Sequence, residues 1–455
     1  MNYNLLKDPI PGLIRKLAIP TSIGFFFNTM YNVVDTFYAK YLGTPGLAAL
    51  TIAFPLFFVI VAVGYGLSAG TTAIIATELG ADKRKSAGFF LAQSVTLGFL
   101  ISVPFMIAGY LTLPVLISKM SSDPEVIELA TQYLQVILAG APFFVFEALL
   151  NGGLNARGDT RSYRNVLIGG FFLNLIFDPF FLFGVSFLGI PPMGVRGIAL
   201  ATILIQVAGV VYLLFRVKKM KCFEHTTAGD FIPEKKGMLA IMEQGVPSGL
   251  NMITMAVGVL IINLFLEEFA ASSALAAFGV GMRIEQIALL PVIGLSTAII
   301  TLTGQNGGAK KFDRVLETYK KSLFYGFLLT VVMAVLIVPF AGLWMGIFDN
   351  NSDVIRLGVK YLRIEMVTFY GYVLIFCAVA FLQGMKRPMW ALYSGIYRQI
   401  LAPLLVFYLF GVYLGFGVNG VWWGVSAIVW SAGLFLNFIA LKTYNSIRQK
   451  QSTPV

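Results

Sequence analysis

Residues 47–77 read LAALTIAFPLFFVIVAVGYGLSAGTTAIIAT, a run of 31 residues without a charged side chain. A helix needs about 20 apolar residues to cross the hydrocarbon core of a bilayer, where irregular backbone cannot satisfy its polar groups. The strands of a membrane barrel would alternate apolar and polar side chains, whereas this run is apolar at odd and even positions alike. The stretch therefore predicts a transmembrane helix.

The same pattern recurs along the whole chain. Of its 455 residues, 58% are hydrophobic and 12% are charged, with a mean hydropathy of +0.81, whereas a soluble chain carries about a quarter charged residues. Twelve stretches are long and apolar enough to span a bilayer, namely residues 13–39, 47–77, 89–113, 130–150, 166–185, 198–215, 238–265, 275–303, 322–344, 361–381, 391–413 and 421–441. We predict an all-α membrane protein with twelve transmembrane helices and exclude a soluble enzyme, a disordered scaffold and a nucleic-acid-binding domain.

Lysine and arginine are distributed unequally over the predicted loops. The loops on one side carry 25 of these residues and those on the other side six, within a net charge of +11. Such an excess marks the cytoplasmic face, next to anionic lipid, so both termini are expected in the cytoplasm. No small-residue cleavage site follows the first apolar stretch, and we predict a multi-pass protein of the plasma (inner) membrane.

The second half of the chain repeats the first at an offset of 228 residues. Matched positions are Gly66-Leu67-Ser68 with Gly294-Leu295-Ser296, Gly80 with Gly308, Lys83 with Lys311 and, with one gap, Pro20 with Pro247. Because each half holds six spans, the repeat is parallel, and two pseudo-symmetric six-helix lobes with a cavity between them form a transporter architecture. We predict an N-lobe at 1–217, a cytoplasmic linker at 218–236 and a C-lobe at 237–455.

The first span contains a carboxylate at membrane depth. Asn28, Asn32 and Asp35 are spaced by four and three residues, which places them on one helical face. An aspartate at the bilayer centre costs about 2.5–3.5 kcal/mol and usually faces a bundle interior or a wet cavity. Pro20 removes a backbone hydrogen bond and makes this helix a hinge. The alternative is that Asp35 is solvated near the outer end of the helix.

The fifth and sixth spans add further oxygen atoms. Asn174 and Asp178 are four residues apart, and Thr202 contributes a hydroxyl. Together with Asp35 they could form a Na⁺ site or share a proton, because two carboxylates in a low-dielectric pocket cannot both ionise cheaply. The alternative for Asp178, which precedes Pro179, is a structural role in a helix cap or turn.

Other polar side chains are predicted to line the substrate cavity. In the first lobe these are Asn28 and Asn32 in the first span and Glu147 and Asn151 in the fourth; in the second lobe they are Asn251 and Thr254. For Glu147 and Asn151, solvation at the membrane surface is an equal alternative.

The two repeats are predicted to differ in charge. At the offset of 228, Asp35 falls on Asn263, which indicates that the first lobe keeps charge in its membrane interior and the second does not. We interpret Arg283, Glu285 and Gln286, at the start of the eighth span, as ties between helices or as residues of the substrate wall. The polar residues Tyr397, Arg398 and Gln399 are predicted to interrupt the eleventh span and to anchor it to neighbouring helices.

Motifs for catalysis or nucleotide binding are absent from the sequence. There is no GxxxxGK[ST] segment for ATP, Cys222 and Cys377 lie in no CxxC, and His225 is the single histidine. We predict that the chain is not an enzyme and uses neither ATP nor an organic cofactor. Its energy is expected to come from an ion gradient, with H⁺ or Na⁺ as the coupling ion, or from the solute itself.

An ordered series of motifs along nearly the whole chain resembles the multidrug and toxic compound extrusion (MATE) family. It comprises Leu17-Ala18-Ile19-Pro20, Asn32-Val33-Val34-Asp35-Thr36, Leu47-Ala48-Ala49-Leu50, Gly66-Leu67-Ser68-Ala69-Gly70, Glu78-Leu79-Gly80-Ala81, Asn155-Ala156-Arg157-Gly158-Asp159-Thr160-Arg161, Asn174 to Pro179, Arg283-Ile284-Glu285, Pro291 and Gly294-Leu295-Ser296. The resemblance implies a V-shaped twelve-helix bundle that exports cationic, amphipathic compounds in exchange for H⁺ or Na⁺.

The resemblance also assigns roles to residues. It places the coupling site of the N-lobe on Asp35, Asn174, Asp178 and Thr202. The NorM-type branch has a glutamate in the seventh span and an aspartate in the tenth. Here the seventh span has Thr254 and Met255 near that place and the tenth has no interior aspartate, which favours a DinF-like protein.

The sequence thus predicts a multidrug antiporter that acts as a monomer in contact with membrane lipid, takes small cationic substrates and binds no nucleic acid. The main alternative is a flippase for lipid-linked saccharides from the same superfamily, although the acidic interior does not suit a pyrophosphate. A channel or an intramembrane enzyme is a further alternative, for which the sequence offers no motif.

Overall fold

The computed structural model describes residues 3–452, and all of their side chains except those of residues 187, 270–272, 451 and 452. The helices are α1 Ile10–Ala39, α2 Gly43–Gly80, α3 Arg84–Met120, α4 Pro124–Ala139, α5 Ala141–Ala156, α6 Arg161–Phe183, α7 Val195–Lys219, α8 Lys235–Gly308, α9 Phe312–Ile337, α10 Ala341–Gly346, α11 Ser352–Gly384, α12 Met389–Ile396, α13 Ala402–Phe407 and α14 Gly417–Ser452. Two π-helical segments, Tyr397–Leu401 and Tyr408–Tyr413, flank α13. The prediction of an all-α fold is confirmed.

Within the described residues, ten helical stretches are long and apolar enough to cross a membrane, or eleven when the bent pair α4 and α5 is included. One of the ten, Ile10–Gly80, contains both α1 and α2. As a single straight helix its 71 residues would extend about 105 Å, more than three times the hydrocarbon thickness. The turn at Lys40–Leu42 divides it into two helices, and two further stretches, Lys235–Phe269 and Ser273–Gly308, both lie within α8. The twelve predicted spans therefore match these stretches when α1 and α2 are counted separately and the bent pair α4 and α5 is counted as one span.

The fourth span is broken in the middle. Between α4 and α5 the axis bends by 46°, at Gly140 and just before Pro142. Proline has no N–H to donate and its ring displaces the preceding turn, so this sequence bends a helix.

The chain divides into two compact units. Unit N comprises Ile23–Gly249, and unit C comprises Met1–Ser22 together with Leu250–Val455. Helices α1 and α8 therefore each contribute residues to both units. The predicted lobes differ from these units in residues 1–22 and in residues 237–249, which were assigned to the N-lobe and the C-lobe respectively.

In unit N, the first part of α8 packs closely against α2. A Cβ atom on Gly66 would lie 2.5 Å from the amide nitrogen of Gly249 and 2.6 Å from the carbonyl oxygen of Gly245. Only glycine permits such an approach of two backbones. This contact attaches residues 237–249 to unit N.

The predicted linker at 218–236 is also part of unit N. The Gln93 side chain on α3 donates hydrogen bonds from Nε2 to the carbonyl oxygens of Asp230 and Ile232, each at 2.7 Å. Its Oε1 accepts from the backbone N–H of Glu234 at 2.9 Å. One buried amide thus satisfies three backbone groups of a connection that has no long helix of its own.

In unit C, the first turns of α1 pack against the end of α8. Leu13 and Leu17 share a core with Leu295 and Leu302. A Cβ atom on Gly294 would lie 2.6 Å from the carbonyl oxygen of Ala18. Because Gly294 is the repeat counterpart of Gly66, the same glycine position allows a close helix contact in each unit.

Candidate functional site

Helices α1 and α6 bring three of the four predicted coupling residues into direct contact. The Asn174 side chain donates from Nδ2 to Oδ1 of Asp35 at 2.8 Å and to Oδ1 of Asp178 at 3.0 Å. The two carboxylates also lie within hydrogen-bonding range of each other. One amide therefore holds two carboxylates together, although residues 35 and 178 are far apart in the chain.

These side chains are buried in unit N. Asp35 is 7% exposed, and Asn174 and Asp178 are fully buried, which argues against a solvated Asp35 at the end of the helix. Asp178 and Pro179 both lie inside α6, so Asp178 does not cap a helix. The Oδ1 of Asn174 and the Oδ2 of Asp178 have no hydrogen-bond partner.

Two hydroxyl groups adjoin the carboxylates. Thr202 on α7 is buried, and its Oγ1 donates to the carbonyl oxygen of Ile198 at 3.1 Å. The Tyr31 hydroxyl lies beside Thr202 and near both carboxylates. The sequence analysis missed Tyr31, although its spacing of four residues from Asp35 places both on one face of α1.

Carboxylate, amide and hydroxyl oxygens are the ligands that hard cations prefer. In the described part of the chain, no group of three or more His, Cys, Asp or Glu side chains could hold a metal ion. A cation at this site would therefore need the amide and hydroxyl oxygens in addition to Asp35 and Asp178. The same atoms can also share a proton.

The predicted cavity residues do not join this group. Asn28 and Asn32 are exposed on α1, and the Nδ2 of Asn32 donates to the carbonyl oxygen of Asn28 at 2.9 Å. Thr254 and Asn251 belong to unit C, where both face Gly395. Pro20 lies inside α1, two residues before that helix passes from unit C to unit N.

Glu147 and Asn151 are a second pair of buried polar side chains in unit N, separate from the group around Asp35. Both lie on α5, and the Oε2 of Glu147 and the Oδ1 of Asn151 have no hydrogen-bond partner. The carboxylate occupies space left by Gly209 on α7, where a Cβ atom would lie 2.7 Å from Oε2. The same Cβ atom would lie 2.9 Å from Cγ1 of Val166 on α6. Glu147 itself is 4% exposed, so it is buried among helices and is not solvated at the membrane surface.

The prediction that the second repeat has no charge in its membrane interior is wrong. Glu285 on α8 and Glu365 on α11 are buried in unit C, 9% and 1% exposed. Tyr361 donates from its hydroxyl to Oε2 of Glu285 at 2.9 Å. Arg398, in the π-helical segment Tyr397–Leu401, lies with its guanidinium carbon 5.8 Å from the centre of the Tyr372 ring.

The predicted ties between helices are correct only in part. Arg283 is exposed and Glu285 is buried, as expected for residues two apart on a helix. The interruption predicted at residues 397–399 is a π-helical turn, a feature often found at functional sites. There Gln399 packs against Gly258 of α8.

Long apolar helices in two repeats, with buried ionisable groups in each compact unit, define a polytopic membrane transporter. The MatE family model matches residues 20–180 and 247–409, and the chain belongs to this family of membrane transporters, as the motifs predicted. The two matched segments begin at Pro20 and Pro247, the prolines that align in the repeat.

Three similar proteins were compared with the chain. The FAD transporter of Shewanella oneidensis is 26% identical over 408 residues, which cover 88% of each protein. The probable multidrug resistance protein NorM of Thermotoga maritima is 27% identical over 456 residues, covering 96% of each. A solved structure of MATE in complex with MaL6 superposes with a TM-score of 0.91 at 26% identity, covering 98% of each chain.

Proposed function

We propose that this protein is a secondary active antiporter of the plasma (inner) membrane. It exports cationic, amphipathic compounds in exchange for H⁺ or Na⁺, without ATP or an organic cofactor, and both termini lie in the cytoplasm. The observation that carries this proposal is the buried group formed by Asp35, Asn174 and Asp178. That these three residues together with Thr202 couple ion entry to export belongs to the proposal, as does the DinF-like branch.

The electrostatics of the group support exchange. Two ionised carboxylates held by one amide repel each other strongly in a medium of low dielectric constant. A proton or Na⁺ that binds there relieves the repulsion, and so does a cationic substrate. The coupling ion and the substrate therefore compete for the same negative charge, which is the requirement for antiport.

Because α1 is one continuous helix, the binding of an ion at Asp35 could change the conformation of residues far along the same helix. Asp35 lies in the part of α1 that belongs to unit N, whereas Ile10 to Ser22 belong to unit C, with Pro20 near the boundary. When Asp35 is neutralised, α1 loses a buried charge and bends differently at Pro20, where the backbone lacks a hydrogen bond. The outward-facing protein then releases its substrate.

The substrate class rests on charge and on relatives. The probable multidrug resistance protein NorM is 27% identical to the chain, and an acidic interior suits cations. A second candidate is the transport of an anionic molecule, which includes the flippase alternative. It is favoured by the FAD transporter of Shewanella oneidensis and by Arg398 in unit C.

The test uses purified protein in proteoliposomes, with a fluorescent lipophilic cation as substrate and pH and Na⁺ gradients imposed separately. Asp35→Asn and Asp178→Asn are expected to reduce gradient-driven transport to the level of empty liposomes. The matched control is Asp82→Asn, at a carboxylate whose side chain is 86% exposed. Uphill transport by Asp35→Asn at the wild-type rate would refute the coupling role, and transport of lipid-linked saccharides alone would favour the flippase.

A further inference from the structure

Unit C contains a second network of buried ionisable groups, which the proposed coupling site does not use. Its carboxylates come from two helices, Glu285 from α8 and Glu365 from α11. Both side chains are buried, and the two carboxylates repel each other. Nothing in the sequence spacing relates them, because they meet only in the folded unit.

Two tyrosines of α11 have hydroxyl groups close enough to hydrogen-bond these carboxylates. The Tyr361 hydroxyl donates to Oε2 of Glu285 at 2.9 Å, and the Tyr372 hydroxyl is within hydrogen-bonding range of both Glu285 and Glu365. The Oε1 of Glu365 has no partner. The ring of Trp422 on α14 packs against that of Tyr361, with 5.7 Å between the ring centres.

A fixed cation faces this network. The guanidinium of Arg398 lies over the Tyr372 ring at 5.8 Å and attracts Glu285. Arginine keeps its charge at all accessible pH values. The Nε of Arg398 has no hydrogen-bond partner. The amide oxygen of Gln399, in the orientation that satisfies its surroundings, accepts from both terminal nitrogens of Arg398, at 3.3 and 3.1 Å. Arg398 acts on Glu285 through its charge.

The sum of charges differs between the two units. In unit N, Asp35 and Asp178 share the neutral amide of Asn174, so the pair carries two negative charges when ionised. In unit C, Glu285, Glu365 and Arg398 together carry one negative charge, and a single proton makes them neutral. A free alkali cation would instead be repelled by the guanidinium.

We propose that Arg398 is the resident cation of a proton-binding site formed by Glu285 and Glu365, and that it excludes Na⁺ and other alkali cations from unit C. The site takes up one proton, shared through the hydroxyls of Tyr361 and Tyr372. This inference does not depend on antiport, because it concerns only which ion unit C binds.

The experiment uses full-length protein carrying Asp35→Asn, Asp178→Asn and Glu147→Gln, in which the three buried carboxylates of unit N described above are removed. Binding is measured in detergent with NaCl against choline chloride at constant ionic strength. The readouts are the thermal midpoint and the infrared band of a protonated carboxyl group. In this background Na⁺ is expected to change neither readout, and Glu365→Gln should abolish the protonated-carboxyl band.

The addition of Arg398→Gln should create a Na⁺ response. Na⁺ should then raise the thermal midpoint and displace the protonated-carboxyl band, with a half-saturating concentration at least about tenfold lower than in the background. Arg398→Lys, which keeps the charge, should stay insensitive to Na⁺. Adding Glu365→Gln to the Arg398→Gln variant should abolish the response.

Two results would overturn the proposal. One is Na⁺ binding by the background protein with Arg398 intact, if Glu365→Gln abolishes that binding. The other is a folded Arg398→Gln variant that remains insensitive to Na⁺. If Arg398→Gln does not fold, the Na⁺ measurement on the background protein and its Glu365→Gln variant decides the question alone. Both results are independent of the transport assay, which tests the role of the unit N carboxylates.

Discussion

The two compact units each hold a pair of buried carboxylates, but they do so with different neighbouring groups. Unit N holds two aspartates with one amide between them, and unit C holds two glutamates with tyrosine hydroxyls and an arginine. The positions do not correspond: at the repeat offset, Asp35 falls on Asn263, and Glu285 falls on Phe57. Each unit therefore carries charge where its counterpart is neutral.

Packing, by contrast, follows the repeat. Gly66 and Gly294 correspond at the same offset, and each allows a close helix contact in its own unit. The difference teaches that the duplicated sequence preserves the contacts that build a helical unit, while the ionisable groups were placed independently in each. Two pseudo-symmetric units can thus bind different ions.

The largest difference is expected when the neutral donors of the two networks are removed. Asn174→Leu leaves Asp35 and Asp178 without their common donor, and it should lower stability by about 2–4 kcal/mol and reduce transport on the order of 100-fold. Tyr361→Phe leaves Tyr372 and Arg398 in place and should cost about 1 kcal/mol. Thermal unfolding and transport in proteoliposomes measure both, and equal losses would contradict the comparison.

Substituting the glycine at either close helix contact should destabilise the protein by the same amount. Gly66→Val in unit N and Gly294→Val in unit C each force a side chain into a backbone, and each is expected to destabilise the protein by about 3 kcal/mol or more. Gly12→Val is the control, because a Cβ atom there meets nothing within 4 Å. The yield of folded protein and its thermal midpoint are the measurements. A large loss for one glycine alone would show that the repeat does not conserve packing.

A smaller effect is expected from Glu147, a single buried carboxyl group that has no counterpart pair. Its side chain is 4% exposed, and Oε2 has no partner. Glu147→Gln keeps the shape and cannot ionise, so it should raise the thermal midpoint by roughly 2 °C at alkaline pH, where Glu147 would have to carry a buried charge. Glu268→Gln, at an exposed position, should leave the midpoint unchanged. A lower midpoint for Glu147→Gln would indicate that this carboxylate is paired.

The smallest effect concerns the thiol of Cys222, which lies in the linker. Burial raises the pKa of Cys222 to about 11, so at pH 8 the reactive thiolate is on the order of 0.1% of the total. In a Cys377→Ala background, maleimide should label Cys222 roughly 100-fold more slowly than a cysteine introduced by His225→Cys with Cys222 replaced by alanine. The rate should rise with pH, since more thiolate forms. Rapid labelling at pH 8 would mean that the linker leaves α3.

Much of the fold follows from the sequence because a bilayer restricts the choices. Long apolar runs can only be helices there, and the repeat of glycine and proline positions supplies the two halves. The contact among Asp35, Asn174 and Asp178 was predictable because two of these residues are four apart on one helix. The family motifs placed Asp35 beside them.

The network of unit C was missed for a physical reason. Glu365 lies near the middle of α11, Ser352–Gly384, but close to the start of the predicted span at residue 361, and no role was predicted for it. Helices extend beyond their apolar runs wherever polar side chains face the inside of a unit. The partners Glu285 and Arg398 lie on other elements, and no spacing within one helix could connect them.

The division of α1 between the units has a consequence for biosynthesis. Residues Met1–Ser22 belong to unit C, whose remaining residues begin at Leu250. At about 5–20 residues per second, the ribosome needs roughly 10–45 s to proceed from one segment to the other. During that time the beginning of α1 has no native packing partner within unit C, and only synthesis of the second half of the chain supplies one. The first residues made are thus among the last to reach their native contacts.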